Sequence, residues 1–184
     1  AGSSLALAEN PNGDMVLAIG APGMDMSSPY AYPVVPGALY VYGRLTGTSD
    51  WFLSFTNEDD PNNPGGWTGL GHDVEAAWYA DVFNVLGGCP YKYDNAGEVV
   101  HCKGTLSGTP FNFFDNFSVG GTGMRFGSSL KLEQNTLVVG GPGASPEFPY
   151  GTVHVLRYYL DGFENIQGTV LQPRTEEATS NGAR

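Results

Sequence analysis

The chain offers two kinds of residue that could perform catalysis or hold a metal, its histidines and its paired serines. The histidines lack the spacing of metal ligands, which favours a structural role for His72, His101 and His154. Ser3-Ser4 and Ser128-Ser129 occupy matching positions of an internal repeat, which marks them as structural rather than nucleophilic. These residues form no catalytic constellation, and we predict that the chain is not an enzyme.

Pairs of aromatic residues are better candidates for a binding surface. They recur in three segments, as Tyr30 and Tyr32, Tyr91 and Tyr93, and Phe148 and Tyr150. Large, stiff rings supply contact area at low entropic cost, so exposed rings near Pro and Ser suit a protein or glycan partner. The alternative is that these rings pack on neighbouring loops and have no partner outside the chain.

Two further features bear on the compartment in which the chain works. Cys89 and Cys102 lie in one predicted hairpin, which permits a disulfide and equally fits two free thiols. Asn116-Phe117-Ser118 is an N-glycosylation sequon, with Asn116 as the acceptor. The sequon agrees with an extracellular or cell-surface location, which we predict for this chain.

The composition limits both the fold and the partners. A content of 27 Gly and 13 Pro, with 12% aromatic residues, favours short strands joined by tight turns. We therefore predict an all-β protein with almost no helix. The net charge is −11 and the eight Lys and Arg residues are scattered, which argues against nucleic acid as a partner. No stretch approaches the ~20 apolar residues of a membrane span.

Three segments of the chain repeat one pattern, and this repeat predicts the architecture. They align on Gly2, Gly71 and Gly127, and each contains a first strand, an apolar second strand suited to burial on both faces, and a third strand. A fourth, outer strand is predicted over 51–55, 111–114 and 169–171. The predicted units are 1–60, 67–118, which is degenerate, and 122–173, followed by a tail or linker over 174–184.

Two of these repeats resemble a known family. Phe126-Gly127-Ser128-Ser129 followed by Val139-Gly140-Gly141-Pro142, and also Ile19-Gly20-Ala21-Pro22, are similar to the FG-GAP repeat, best known from the head propellers of integrin α-subunits. The resemblance implies a β-propeller whose blades each have four antiparallel strands. Because a closed propeller needs at least four blades, the three units are expected to form part of a larger propeller.

The resemblance also raises the question of calcium. Many FG-GAP repeats hold calcium between their first and second strands, and Asn10, Asn12 and Asp14 are the candidate ligands here. In the register set by Gly20, however, the outer carboxylate positions of the family's loop fall on Ala8 and Val16. Neutral amides bind calcium weakly, so we predict a plain turn at this loop and no cofactor.

The function implied is that of a non-catalytic interaction scaffold. The partners expected are other protein chains or further blades of the same polypeptide, with a glycan as the alternative ligand. Two competing functions stay open at this point, an accessory propeller of a larger secreted enzyme and a carbohydrate-binding module. The family resemblance by itself does not identify a ligand.

Overall fold

The computed structural model describes residues 2–23, 36–59, 68–118, 121–143, 151–159 and 162–171. These residues form three antiparallel sheets with four strands each, which confirms the predicted all-β class. In every sheet the strands are hydrogen-bonded in the order in which they occur along the chain. Within the described residues, no helix is long and apolar enough to cross a membrane.

The first sheet is formed by hairpin connections between neighbouring strands. Its strands are β1 Ser4–Glu9, β2 Met15–Ala21, β3 Ala38–Arg44 and β4 Phe52–Glu58. The second sheet contains β5 Val74–Tyr79, β6 Val82–Cys89, β7 Glu98–Gly104 and β8 Asn112–Phe117, with the short segment α1 Lys92–Asn95 between β6 and β7. The third sheet contains β9 Ser129–Glu133, β10 Thr136–Gly141, β11 Thr152–Tyr159 and β12 Gly162–Leu171.

Apolar alternation along these strands produces two cores, one on each side of the second sheet. The core between the first and second sheets includes Val16, Val41, Phe83 and Val85, all fully buried. The core between the second and third sheets is built from a separate set of residues, among them Leu86, Val99, Leu137 and Val139. The second sheet therefore lies in the middle of the stack, with a neighbour on each face.

The position of each sheet in the stack decides how its second strand is buried. We predicted burial on both faces for all three second strands, and this holds for β6, whose residues from Phe83 to Cys89 are all buried. For β2 and β10 the prediction is wrong, since buried residues alternate with partly exposed ones. Only the middle sheet has a described neighbour on both of its faces.

Adjacent sheets meet at backbone contacts between glycines. A Cβ atom on Gly20 would overlap the carbonyl oxygen of Gly71, and one on Gly88 would overlap that of Gly127. Gly71 and Gly127 start the next sheet in each case, and both have positive φ, +82° and +89°. Only glycine satisfies this combination of close approach and left-handed backbone at no steric cost.

The two cysteines are free thiols, so of the two alternatives that the sequence left open, the disulfide is not formed. In the β6–β7 hairpin, Cys89 faces Glu98 and Cys102 faces Val85. This offset of four residues separates the two Cα atoms by about 13 Å along the strand direction alone, whereas a disulfide requires a Cα–Cα distance below about 7 Å. Burial raises the pKa of Cys102 to about 12, and burial together with the charge of Asp59 raises that of Cys89 further.

The glycine contact between the second and third sheets can be tested by adding one methyl group. We expect Gly88→Ala to lower the free energy of unfolding by about 3 kcal/mol, since the new Cβ meets backbone that no rotamer change can move. Gly121→Ala is the matched control, because a Cβ there meets nothing within 4 Å. Chemical denaturation of both variants measures the difference, and equal stabilities would contradict the close contact.

The state of the cysteines is tested by alkylation without reductant. We expect no adduct on the native chain, because both thiols are buried and protonated, and two adducts once the chain is unfolded in denaturant. Intact mass spectrometry counts the adducts. An unfolded chain that takes up none would show that the two residues are joined after all.

Candidate functional site

The segment that follows β6 is the most unusual piece of backbone among the described residues. Three consecutive residues, Tyr93, Asp94 and Asn95, have positive φ, at 51°, 54° and 63°. Asn and Asp tolerate this region better than other residues, but a tyrosine there is uncommon. Residues 91–97, called here the 91–97 turn, are closed by bonds from the Ala96 amide to the Tyr93 carbonyl and from the Gly97 amide to the Lys92 carbonyl, each 3.0 Å.

The 91–97 turn is held in place by the segment that leads into the third sheet. The carbonyl of Asn95 accepts a hydrogen bond of 2.7 Å from the Arg125 amide, and the carbonyl of Ala96 accepts one of 2.9 Å from the Phe126 amide. Backbone in an unfavourable conformation persists only where surrounding contacts hold it in place, and these two hydrogen bonds do so. The conformation of the turn thus depends on the packing of the second unit against the third.

Tyr91 packs against its neighbours, which is the alternative that we gave to a binding role. Its ring lies edge-on to His72 with the centroids 6.1 Å apart, and the Arg125 guanidinium carbon is 5.6 Å from the ring centroid. Gly69 leaves room for the ring, because a Cβ there would lie 2.7 Å from a ring carbon. Tyr91 is therefore partly buried and connects three parts of the chain.

Tyr93 is the exposed member of the pair, with 54% of its surface accessible. The Lys92 ammonium lies 5.0 Å from its ring centroid and also forms an ion pair with the buried carboxylate of Glu98. Burial lowers the pKa of Lys92, but the hydrogen bond and charge of Glu98 outweigh burial and raise it above the usual value. Lys92 thus stays charged and holds a cation against the exposed ring.

The groups that the 91–97 turn exposes are an aromatic ring and a carboxylate. The exposed surface consists of the Tyr93 ring and the carboxylate of Asp94. Sequence reasoning identified Tyr93 but missed Lys92, Glu98 and Arg125. The charge pattern of Lys92 and Glu98, six residues apart across a turn, could have indicated their pairing. The sequence holds no signal that brings Arg125 to Tyr91.

The other predicted members of the aromatic surface fall outside the described residues. Tyr30 and Tyr32 lie within 24–35, and Phe148 and Tyr150 lie within 144–150. The same holds for the tail over 174–184. Of the six predicted binding residues, the structure therefore locates Tyr91 and Tyr93.

The loop considered for calcium is a hairpin turn in which the side-chain oxygens already accept hydrogen bonds. The Asn10 amide oxygen accepts from the backbone amides of Asn12 and Asp14, both at 2.9 Å. One oxygen of the Asp14 carboxylate accepts from the Thr46 amide at 2.9 Å and the other from the Asn10 side chain at 3.1 Å. These bonds account for the turn without a cation. In the part of the chain that the structure describes, no three His, Cys, Asp or Glu residues cluster as metal ligands would.

Two of the histidines are buried within the sheets. The ring of His101 is fully buried, with its Nε2 3.0 Å from the side-chain oxygen of Asn84, and it forms a T-shaped contact with the Phe114 ring at a centroid distance of 5.2 Å. His154 lies 3.0 Å from the Thr152 hydroxyl in the third sheet. Burial lowers the pKa of both rings, that of His101 to about 3.

The sequon residue is placed where a glycan could attach. Asn116 lies in β8, the outermost strand of the second sheet, and is exposed. Its backbone amide donates a hydrogen bond of 2.8 Å to the side chain of Asp115. Glycosylation of Asn116 stays a prediction.

A scan against protein-family models and a search of curated proteins each returned no match.

The buried ring of His101 predicts how stability depends on pH. The His101 ring takes up a proton near pH 6.5 in the unfolded chain but only near pH 3 in the folded chain. The stability that the folded chain gains by keeping this ring neutral is therefore complete above pH 6.5 and is lost as the pH falls toward 3. Between pH 7 and pH 5 the loss in the free energy of unfolding is about 2 kcal/mol.

The variant His101→Gln isolates this effect, because glutamine retains a donor for Asn84 and does not titrate. We expect it to lose about 2 kcal/mol less than the parent chain between pH 7 and pH 5. Denaturant unfolding at the two pH values measures both losses. Equal losses in the parent chain and the variant would mean that the His101 ring is protonated as readily in the folded chain as in the unfolded chain.

Proposed function

We propose that the chain is a non-catalytic interaction scaffold of the FG-GAP type, on an extracellular or cell-surface protein. In this proposal its three sheets are blades of a larger propeller, and a protein partner binds on the side that carries the 91–97 turn. Propeller blades present their connecting loops on a common face, which is where such scaffolds bind their ligands.

The observation that carries the family assignment is the repeated use of one glycine. Gly127, the glycine of the Phe-Gly pair in the third repeat, and its counterpart Gly71 make the same contact with the sheet before them. Gly2 occupies the equivalent position in the first repeat and has the same backbone, with φ of +86°. The motif residues thus have a mechanical role of the kind expected where blades pack side by side.

A binding role for the loop side is supported by the way Tyr93 is displayed. Its ring is exposed, while its backbone is restrained by the hydrogen bonds of Asn95 and Ala96 to the third unit. A ring that is already ordered loses little conformational entropy when a partner covers it, which raises affinity. Tyrosine is also among the residues that most often dominate binding energy at protein interfaces.

The absence of catalysis in this proposal rests on the chemistry of the described residues. Both thiols are buried with raised pKa values, so neither serves as a nucleophile. His101 and His154 are buried and uncharged, and their ring nitrogens face groups inside the sheets. In this proposal these groups stabilise the fold, and their burial keeps them out of reach of a substrate.

Binding through the loop side is tested on an array of secreted proteins and receptor ectodomains, with a glycan array in parallel. We expect a protein ligand whose affinity falls at least tenfold, about 1.4 kcal/mol, with Tyr93→Ala. Phe52→Ala is the matched control, since Phe52 is also an exposed aromatic residue but lies on β4. Equal melting temperatures of the two variants exclude loss of folding as the cause.

Three outcomes would count against the proposal. Binding that is insensitive to Tyr93→Ala would remove the 91–97 turn from the interface. Binding confined to the glycan array would favour a carbohydrate-binding module. Failure to bind any protein or glycan would leave the scaffold without its proposed activity.

A further inference from the structure

The outer edge of the second sheet is formed by β8. Among the described strands, β8 is hydrogen-bonded to β7 alone, so no described strand pairs with its other side. This edge does not depend on how far the polypeptide extends, because neighbouring sheets of this chain stack on faces. The second sheet already packs against a neighbour on each face, and its β8 edge is still uncovered by any described strand.

The composition of β8 makes this edge a place where foreign strands can pair. Three of the six residues of β8 are phenylalanine, and Asp115 is its only charged residue. The strand contains neither Lys nor Pro, which many proteins place on an exposed edge, and one register shift against β7 is its only irregularity. An aromatic edge with so little charge needs a further protective device.

The glycosylation sequon lies on this same strand, and it is the only such sequon in the sequence. Asn116 is exposed and is paired in register with Val100 of β7. Its side chain makes no hydrogen bond to a residue that the structure describes, so a sugar attached there displaces only solvent. An N-linked glycan is bulky and hydrophilic, and on Asn116 it stands beside the unpaired edge.

Folding engages the other two residues of the sequon. The hydroxyl of Ser118 donates a hydrogen bond of 2.7 Å to the carbonyl of Gly97. Phe117 is paired in register with Val99, and its ring centroid lies 6.2 Å from that of Phe126 in the core between the second and third sheets. A glycan-transferring enzyme must take the asparagine and this hydroxyl into its own site, so transfer requires β8 to be separate from β7.

We propose that a glycan is attached to Asn116 before β8 pairs with β7, and that it then shields the outer edge of the second sheet from other strands. Attachment forms a bond between the side-chain nitrogen of Asn116 and the first sugar carbon. The bond from that carbon to a lipid-linked diphosphate, the sugar donor, breaks, and the diphosphate leaves with the bonding electrons. The amide proton passes to the transferring enzyme. Folding then closes the acceptor, because the Ser118 hydroxyl is bonded to Gly97.

Attachment and its timing are tested in one chain with a second acceptor. Ser107→Asn completes a sequon with Thr109, in an exposed part of the connection between β7 and β8. This variant, fused to a signal peptide and translated with microsomes, is expected to gain two glycans. The purified folded chain, given oligosaccharyltransferase and a lipid-linked oligosaccharide, is expected to gain one, at position 107 only. Peptide mass mapping assigns the sites, and a free acceptor peptide verifies that the enzyme is active.

Three results of this experiment would overturn the proposal. The first is an Asn116 that receives no glycan during synthesis. The second is transfer to Asn116 in the folded chain, which would show that pairing with β7 does not close the acceptor. The third is a folded chain that accepts no glycan at position 107 either, because closure would then belong to the folded chain as a whole and not to β8.

Shielding is tested by comparing chains from the same secretory cells with and without the glycan. We expect Asn116→Gln to aggregate at roughly a tenfold lower concentration than the glycosylated parent, as measured by light scattering. The double variant with Ser107→Asn and Asn116→Gln is the matched control, since its glycan lies at the far end of β8, and it should aggregate like Asn116→Gln. The faces of the outer sheets are the same in all three chains, so the difference reports the edge.

Equal behaviour of the parent and Asn116→Gln would contradict shielding. Protection by the glycan at position 107 would contradict it as well, because the benefit would then come from added solubility at any position. Aggregation of both chains that lack a glycan on Asn116, with a parent that stays dispersed, is the result that supports the proposal.

This inference goes beyond the binding function proposed above and shares with it only the extracellular location. Tyr93 lies in the turn after β6, whereas Asn116 lies on the outer strand of the same sheet. Loss of ligand binding in Tyr93→Ala therefore says nothing about the glycan, and loss of the glycan in Asn116→Gln says nothing about the ligand of the 91–97 turn.

Discussion

Backbone contact between glycines sets the distance at which neighbouring sheets of this chain pack. At Gly20 and Gly88, the second strand of one sheet touches the turn that starts the next, with no room for a Cβ atom. Since the contact involves backbone on both sides, no change of rotamer relaxes it. The apolar side chains around it must fill the remaining gap at the density of a protein interior, so their sizes are constrained across each interface.

The same stacking explains why three similar repeats differ in burial. The middle sheet is covered on both faces, which is why β6 contains a nearly continuous buried run and why the polar pair of His101 and Asn84 must satisfy each other inside the fold. The outer sheets each have one covered face, so β2 and β10 alternate. Burial in this chain is therefore a property of position in the stack as much as of residue type.

The proposed binding surface and the sheet packing are physically connected. The 91–97 turn belongs to the second unit, but its carbonyls accept hydrogen bonds from Arg125 and Phe126 at the start of the third. Arg125 also lies over the ring of Tyr91. Packing of the third unit against the second thus orders the backbone on which Tyr93 is displayed, and the scaffold supplies rigidity that an isolated loop would lack.

The sequence by itself determined the all-β class, the repeat and the approximate position of the strands, because alternation, glycine and turn residues act locally. It identified Tyr93 but could not separate it from Tyr91, since the difference lies in contacts with Arg125, 34 positions away. It left the cysteines open between a bridge and two thiols. Only the tertiary structure decided that point, because the register of the β6–β7 hairpin offsets Cys89 from Cys102 by four residues.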